Sequence, residues 1–481
     1  MRKQAKKSAL IEVIYILILV LIALVITLLG MFFSTKSITK VFNNYELVLV
    51  VFFFIFAFLL LMYVYQIKII KKKVDCTDAT EFSITFTIIP IVVLISCLLY
   101  SYYSPYAIPI SAISLLLAIM LRQRIGIMGG IISFMMILML GPITHYYLTP
   151  ETMNMDSFGI LVSLSATIIM PLLVHKGFSR LKLTWGAILV SLVFIPLGCL
   201  ISFLGPNATI RDIILAGVES FVGNLIGVGI VTLLLPLYEV ASRVWTDFKL
   251  SEVCSQNTKI LRKLREEAPG TYSHSLIVAN MVETCAITLG LNPFMARACA
   301  MYHDIGKINS PEFFVENQEG GYNPHDELII DMSVKIITDH TQEGAEILKA
   351  YRMPDTVIKA ALEHHGTSAL MYFYMKAKGI TEGDLDDDRY RYSGPKPTTK
   401  YSAVLMICDV CEAMTRAKPP ESMQELENAV EKVIKDRVMD GQFSECDISL
   451  KELDLVKQTI CEVIPSILHK RIDYNKAKEI R

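Results

Sequence analysis

The strongest constraint on this chain is a series of apolar stretches, each about as long as a bilayer is thick, that fills its first half. Crossing the hydrocarbon takes about 20 predominantly apolar residues in a helix. Such stretches fall at 9–32, 46–69, 83–103, 106–121, 125–147, 158–175, 184–204 and 213–235, eight in all. Beyond residue 236 the text turns charged and helical. This division accounts for a composition, 53% hydrophobic and 19% charged with a mean hydropathy of +0.46, that a single soluble globule of 481 residues would not show.

Loop charges orient the spans. Starting from the basic N-terminus MRKQAKK, every second loop is basic: KIIKKKVD (Lys71 to Lys73), RQR (Arg122, Arg124) and HKGFSRLK (Lys176, Arg180, Lys182). The intervening loops SYYSPY, HYYLTPETMNMDS and GPNATIRD hold one basic residue, Arg211. Because basic loops stay inside, both termini are expected in the cytoplasm. The first apolar run is too long for a secretory signal peptide and lacks a small-residue cleavage site. The expected fold class is therefore all-α, a polytopic transmembrane bundle followed by a helical cytoplasmic domain. Its parts are an N-terminal transmembrane helix (1–35), a short outer loop (36–45), seven further spans (46–236), a helical stalk (237–268) and a soluble domain (269–481).

The stalk rests on a stripe, Leu237, Val240, Val244 and Phe248, at three- and four-residue steps on one helical face. Such a stripe also suits a homodimer seam. Inside the spans, Glu219 is the clearest ionisable group, with Asn224 nearby, and an intramembrane carboxylate points to function by default. Gly223 and Gly227 have the spacing that lets helices approach closely. The ten cysteines show no disulfide-framework spacing, which places the soluble part in a reducing compartment. Cys408 and Cys411 lie in an apolar helical run without a second such pair, and read as two helix cysteines rather than a zinc motif. A net charge of −1 gives no reason to expect a nucleic-acid polymer as partner.

Seven of nine histidines follow residue 236, and five of them form an ordered set with two aspartates: His274, His303-Asp304, His340, His364-His365 and Asp409. His303-Asp304 closes PFMARACAMYHDIG, with Gly306 as a helix stop. His340 closes DMSVKIITDH, and His364-His365 closes PDTVIKAALEHHG before Gly366. Neighbours inside a helix point about 100° apart, so an adjacent ligand pair converges best at a helix end. Imidazole and carboxylate donors without thiolates suit iron, manganese, zinc and similar metals. Seven side chains exceed the needs of one tetrahedral zinc and suffice for two metals sharing a carboxylate. Two metals about 3.5–4 Å apart activate water and steady both oxygens of an in-line displacement at phosphorus, so these residue types indicate phosphate-ester hydrolysis. His325, in the loop GYNPHDEL, and His469 lie outside the set.

HDIGK resembles the signature of the HD phosphohydrolase superfamily, and the ordered ligand set is similar to its two-metal, cyclic-dinucleotide-hydrolysing branch. EEAPGTYSHSLIVANM, YHDIGKI, FFVENQ, NPHDEL, EHHGT, YFYMKA and RYSGPKPTTK resemble the bacterial 7TM-HD family across nearly the whole soluble domain. That resemblance implies a multi-pass plasma-membrane phosphodiesterase that linearises cyclic di-AMP to pApA with two divalent ions, iron or manganese. The related HD-GYP enzymes, which act on cyclic di-GMP, continue with DGxGYP where EHHGTSALMYF stands here. An HD-domain receptor that binds nucleotide without hydrolysis, or a hydrolase of another cyclic dinucleotide or nucleotide, are the competing expectations.

Carried over by position, the resemblance implies that His274, His303, Asp304 and Asp409 hold one metal. His340, His364 and His365 would hold the other, with Asp304 as the bridge and Lys307 meeting the substrate phosphate. Arg391, Lys396 and Lys400, in the loop DDDRYRYSGPKPTTK, are candidate phosphate contacts. Glu412, one turn from Asp409, is expected to support the ligands from behind. One departure stands out. The family's large outer domain between the first two spans has no counterpart here, where only STKSITKVFNNYE separates them. Beyond the cyclic dinucleotide, the expected partners are the lipid bilayer and a second copy of the chain, through stalk and HD domain.

Overall fold

A computed structural model describes residues 2–66, 78–144, 147, 159–174, 179–205, 208–242, 244–318, 322–380 and 387–467. The chain divides into two compact units, Met1–Phe248 and Lys249–Arg481. No strand occurs among the described residues; a single isolated bridge joins Ala369 to Arg391.

The first unit consists of α1 (Arg2–Thr35), α2 (Ile38–Asn43), α3 (Tyr45–Val64), α4 (Asp78–Tyr102), α5 (Ser111–Met120), α6 (Gln123–Leu138), α7 (Ile160–Val174), α8 (Arg180–Ser191), α9 (Phe194–Phe203) and α10 (Ile210–Ser242). Among the described residues, six helical stretches are long and apolar enough to cross a membrane: Leu10–Thr35, Tyr45–Val64, Phe82–Tyr102, Gln123–Ile143, Arg180–Phe203 and Ile210–Ser242. Two shorter apolar helices, Ser111–Met120 and Ile160–Leu172, occupy the places of the fourth and sixth expected spans. Lys71 to Lys73 and Lys176, on which part of the loop-charge pattern rests, and His469 lie outside the described residues.

Within hydrocarbon, helices gain little from hydrophobicity against one another and associate through close packing and polar contacts. Gly223 of α10 lies against the backbone of Ala107, where a Cβ would come within 2.5 Å of the carbonyl carbon, and Gly227 lies against Ser111. The polar side chains are satisfied across the same seam and within α10. The Ser104 hydroxyl donates to Glu219 (2.5 Å), Ser111 donates to Asn224 (2.9 Å), and the Asn224 amide donates to the Ser220 carbonyl (2.9 Å). Near the end of α10 the buried Glu239 pairs with Arg180 at 2.6 Å and accepts a hydrogen bond from Thr246.

The second unit contains α12 (Lys259–Glu267), α13 (Pro269–Thr288), α14 (Pro293–Tyr302), α15 (Ile330–Ala350), α16 (Asp355–Glu363), α17 (Met371–Lys378), α18 (Lys400–Ala417), α19 (Met423–Met439) and α20 (Leu450–Ile467). The short α11 (Asp247–Val253) crosses the division between units. The expected stalk is not one helix. Its stripe splits, with Leu237 and Val240 exposed and Val244 and Phe248 buried in the first unit's core. Instead of projecting freely, α12 buries Ile260, Leu261 and Leu264, and the Tyr302 hydroxyl donates to the Val253 carbonyl at 2.6 Å. The apolar face of 249–267 is thus consumed by the second unit.

Gly223→Val should lower the melting temperature of the detergent-purified protein, because the valine methyls must displace the Ala107 backbone at a cost of about 1–3 kcal/mol. Gly229→Val, where nothing stands within 4 Å of an added Cβ, should change it little. Paired thermal melts check the difference.

Candidate metal centre

Five helices, α13, α14, α15, α16 and α18, and one 3₁₀ turn bring the donors together. Asn292 caps α14 by accepting from the amides of Phe294 and Met295, with Pro293 at the first helical position. That helix ends at Tyr302, so His303 and Asp304 occupy the turn out of it, and Ile305–Asn309 follows as a 3₁₀ turn. His364-His365 likewise follow the end of α16, and Gly366 closes that helix in the left-handed region at φ +53. Gly306 plays a different part from the helix stop expected of it. Its φ is not left-handed; a Cβ there would collide with the backbone carbonyl of His340, so its lack of a side chain lets the 3₁₀ turn lie on α15. His340 is not at a helix end, since α15 continues to Ala350. His274 and Asp409 also project from helix interiors.

All seven expected ligands converge. Asp304 is 1% exposed, and its two oxygens face different neighbours. Oδ2 lies 3.2 Å from His303 Nε2 and 3.8 Å from His274 Nε2. Oδ1 lies 3.3 Å from His340 Nε2 and 3.5 Å from His364 Nε2. Asp409 joins through Oδ1, 2.9 Å from His274 Nε2 and 3.8 Å from His303 Nε2, while its Oδ2 is 3.9 Å from His365 Nδ1. Donor atoms of His274, His303 and Asp304 lie within 4.8 Å of one another, as do those of Asp304, His340, His364 and His365.

The far ring nitrogens are held. His303, His340 and His364 each direct Nδ1 at a carbonyl of the preceding helical turn, Ala300 (2.7 Å), Ile337 (2.5 Å) and Ala361 (2.8 Å). His274 directs Nδ1 at Glu412, at 2.5 Å. With Nδ1 so engaged, Nε2 is the nitrogen that each ring would turn to a metal on losing its proton.

Electrostatics divides the cluster in the same way. Burial works against protonation of His274, but the hydrogen bonds it donates to Asp409 and Glu412 carry it up to about 9. Burial also opposes the proton on His303, which the charges of Asp304 and Asp409 bring up to about 10. Asp304 and Asp409 resist burial and stay well below the usual carboxylate range, held there by the histidines and, for Asp304, Lys307. His364 falls to about 4 and His365 well below its usual value, both chiefly through burial. The carboxylates therefore draw positive charge to His274 and His303, while His364 and His365 stay neutral.

The residues fit a pair of divalent cations. Two donors bonded to one ion at about 2.0–2.2 Å stand roughly 3.0–3.4 Å apart, close to the shortest separations here. His303 Nε2 and Asp304 Oδ1 are buried without a hydrogen-bond partner, and burying such atoms uncompensated is costly. Cys408 and Cys411 are buried free thiols and belong to neither donor group.

The candidate substrate cations behave differently. Arg391 is taken up by Asp387 (3.2 Å), Asp440 (3.2 Å) and the Thr367 carbonyl, and Lys400 by Glu452 (2.5 Å). Lys396 is half-buried, with its ammonium near Gly441. Lys307 sits between Asp304 Oδ2 (2.7 Å) and Glu316 Oε1 (2.8 Å) rather than free for a phosphate. Three neighbours escaped the sequence reading. The Tyr392 ring stacks on His365 with centroids 4.3 Å apart, Phe314 meets His340 edge-on at 5.6 Å, and Glu363 accepts from the amide and hydroxyl of Thr398. RYSG and FFVENQ carry the first two, but an aromatic ring or lone glutamate in a loop has no periodicity to mark it.

Gly306→Ala should separate Asp304 from His340 by forcing the 3₁₀ turn off α15. The expected result is a drop in bound Mn²⁺ per chain, measured by elemental analysis after gel filtration, together with a destabilisation of about 1–3 kcal/mol.

Both parts of the chain resemble known proteins. A family model described as "7TM receptor with intracellular HD hydrolase" matches residues 13–246, and an HD domain model matches residues 271–414. The cyclic-di-AMP phosphodiesterase PgpH of Listeria monocytogenes serotype 1/2a (strain 10403S) is 41% identical over 293 residues, which are 60% of this chain and 40% of that protein. PgpH of Bacillus subtilis (strain 168) is 35% identical over 382 residues, 77% of this chain and 52% of that protein. The chain thus spans about half the length, or less, of these curated relatives. The crystal structure of the L. monocytogenes PgpH HD domain in complex with cyclic-di-AMP is 46% identical, covering 44% of this chain and 99% of that one, with a TM-score of 0.43.

Proposed function

The chain belongs to the family of 7TM receptors with an intracellular HD hydrolase, and from that membership we propose that it is a membrane-anchored phosphodiesterase that opens cyclic di-AMP to pApA. The observation that carries the reading is the division of Asp304, whose two oxygens face two separate histidine groups within the HD-matched residues. The names of the PgpH relatives supply the substrate.

His274, His303, Asp304 and Asp409 form the site for one divalent cation, and Asp304, His340, His364 and His365 the site for the other. Iron or manganese suits this donor set. A bound pair of such ions supplies an activated water and neutralises charge at phosphorus. The protein's own part is orientation. Carbonyls of the preceding turns fix three imidazoles, Glu412 fixes the fourth, and Tyr392 fixes the plane of His365 by stacking. The cyclic dinucleotide contains two phosphodiesters, and hydrolysis of one, with a ribose 3′ oxygen as leaving group, gives the linear product. Arg391 and Lys396 lie in the loop that leads into α18 and Lys400 opens that helix; Arg391 and Lys400 serve the substrate only if Asp387, Asp440 and Glu452 release them.

The chain's N- and C-termini face the cytoplasm in this reading, supported by Arg122, Arg124 and Arg180 on alternate loops. The catalytic domain occupies 269–481, and the protein resides in the bacterial plasma membrane, with self-association through the HD domain.

Full-length protein in detergent, loaded with Mn²⁺ or Fe²⁺, should convert cyclic di-AMP to pApA by chromatography and mass spectrometry. Asp304→Ala should slow this about a thousandfold, the equivalent of about 4 kcal/mol. Turnover of cyclic di-GMP or a mononucleotide in place of cyclic di-AMP would overturn the substrate, and wild-type turnover by Asp304→Ala would overturn the shared-carboxylate site.

A further inference from the structure

The contacts of Lys307 suggest a role for a residue outside the ligand set. Its ammonium lies 2.7 Å from Asp304 Oδ2 and 2.8 Å from Glu316 Oε1, with the Phe314 ring 4.8 Å beneath it. All three charged side chains are nearly sealed from solvent, Asp304 at 2%, Glu316 at 6% and Lys307 at 11% exposure. Glu316 is itself braced. Thr271 donates its hydroxyl to Glu316 Oε1 (3.1 Å), Asn317 accepts from the Thr271 amide (3.1 Å), and the Asn317 amide donates back to the Thr271 hydroxyl (2.9 Å). Gly270 packs against the backbone of Glu316, where any Cβ would collide. The start of α13, which carries His274 one turn later, is thereby locked to the segment carrying Glu316.

We propose that Glu316 is a positioning residue for the two-ion site, acting through Lys307 on the orientation and charge of Asp304. The inference rests on the two-group reading above and deepens it. Two physical effects combine. A carboxylate that serves two sites must not rotate about its Cβ–Cγ bond, and Lys307 pins Oδ2 only while its flexible four-carbon stem is fixed at the far end. An ammonium 2.7 Å from Oδ2 also repels a divalent cation approaching the same oxygen, strongly so in a dry site. Glu316 cancels that charge, so Lys307 can hold the carboxylate without expelling the metal. Thr271 and Asn317 complete the bracket by keeping Glu316 at its post.

The test is a Mn²⁺ titration of full-length protein in detergent, read by electron paramagnetic resonance, which distinguishes an exchange-coupled ion pair from isolated ions. Glu316→Gln keeps the shape and a hydrogen-bond acceptor but removes the charge. It should weaken binding of the pair about tenfold to a hundredfold, the usual range for residues that orient ligands. Glu316→Ala should replace the coupled-pair spectrum with that of isolated ions. Removing the orphaned ammonium in Lys307→Met/Glu316→Gln should recover affinity relative to Glu316→Gln alone, a rescue that a merely structural role would not produce. Glu316→Gln with wild-type Mn²⁺ affinity, or a double variant no tighter than the single, would overturn the proposal. Wild-type protein that takes up fewer than two Mn²⁺ would overturn the two-ion reading itself, and this inference with it.

Discussion

A single carboxylate, that of Asp304, is the point on which the site turns. Its Oδ2 faces His303 and His274, its Oδ1 faces His340 and His364, and it lies in a pocket from which water is almost excluded. A buried carboxylate is tolerable only when positive charge surrounds it. Lys307 supplies one such charge, and the protonated tendency of His274 and His303 shows how strongly Asp304 and Asp409 call for more. The helices α13, α14, α15, α16 and α18 are arranged so that every one of them ends, turns or passes at this carboxylate.

The supports behind the ligands follow a consistent rule. Each imidazole must offer one nitrogen, and four of the five have the other nitrogen on a fixed partner, while His365 is held by the Tyr392 ring. Three use the carbonyl of their own preceding turn, which costs no additional residue. His274 uses Glu412 from α18, and that choice ties α13 to the helix carrying Asp409. Glycine serves the same end at two positions by different means. Gly366 provides a left-handed turn after the histidine pair, while Gly306 provides room for the backbone of α15.

Much of the site was legible without coordinates because its ligands are of rare types in adjacent pairs followed by glycine. What the text could not show was which ligands stood at helix ends. His340 reads as a terminus because DMSVKIITDH looks complete, yet the apolar pattern resumes in TQEGAEILKA and α15 runs on. The basic residues of the 391–400 loop read as free cations, because a sequence does not reveal that Asp387, Asp440 and Glu452 will fold against them. Lys307 shows the same limitation in a more consequential place. Its spacing from Asp304 brings it within reach, but only Glu316, drawn in from another segment, decides what the ammonium does.

In the membrane half, the apolar lengths and loop charges determined that helices would be apolar on all sides and in roughly which order they would run. Packing decided where helices approach most closely, because Gly223 and Gly227 meet Ala107 and Ser111 only after distant segments come together. In the soluble half, composition and motif determined the donors and the class of chemistry they suit. The tertiary structure alone decided that one aspartate would be divided between two histidine groups, and that a lysine would be clamped beside it. Ligand identity is a local property of the chain, whereas the direction of a carboxylate oxygen depends on five helices far apart in sequence.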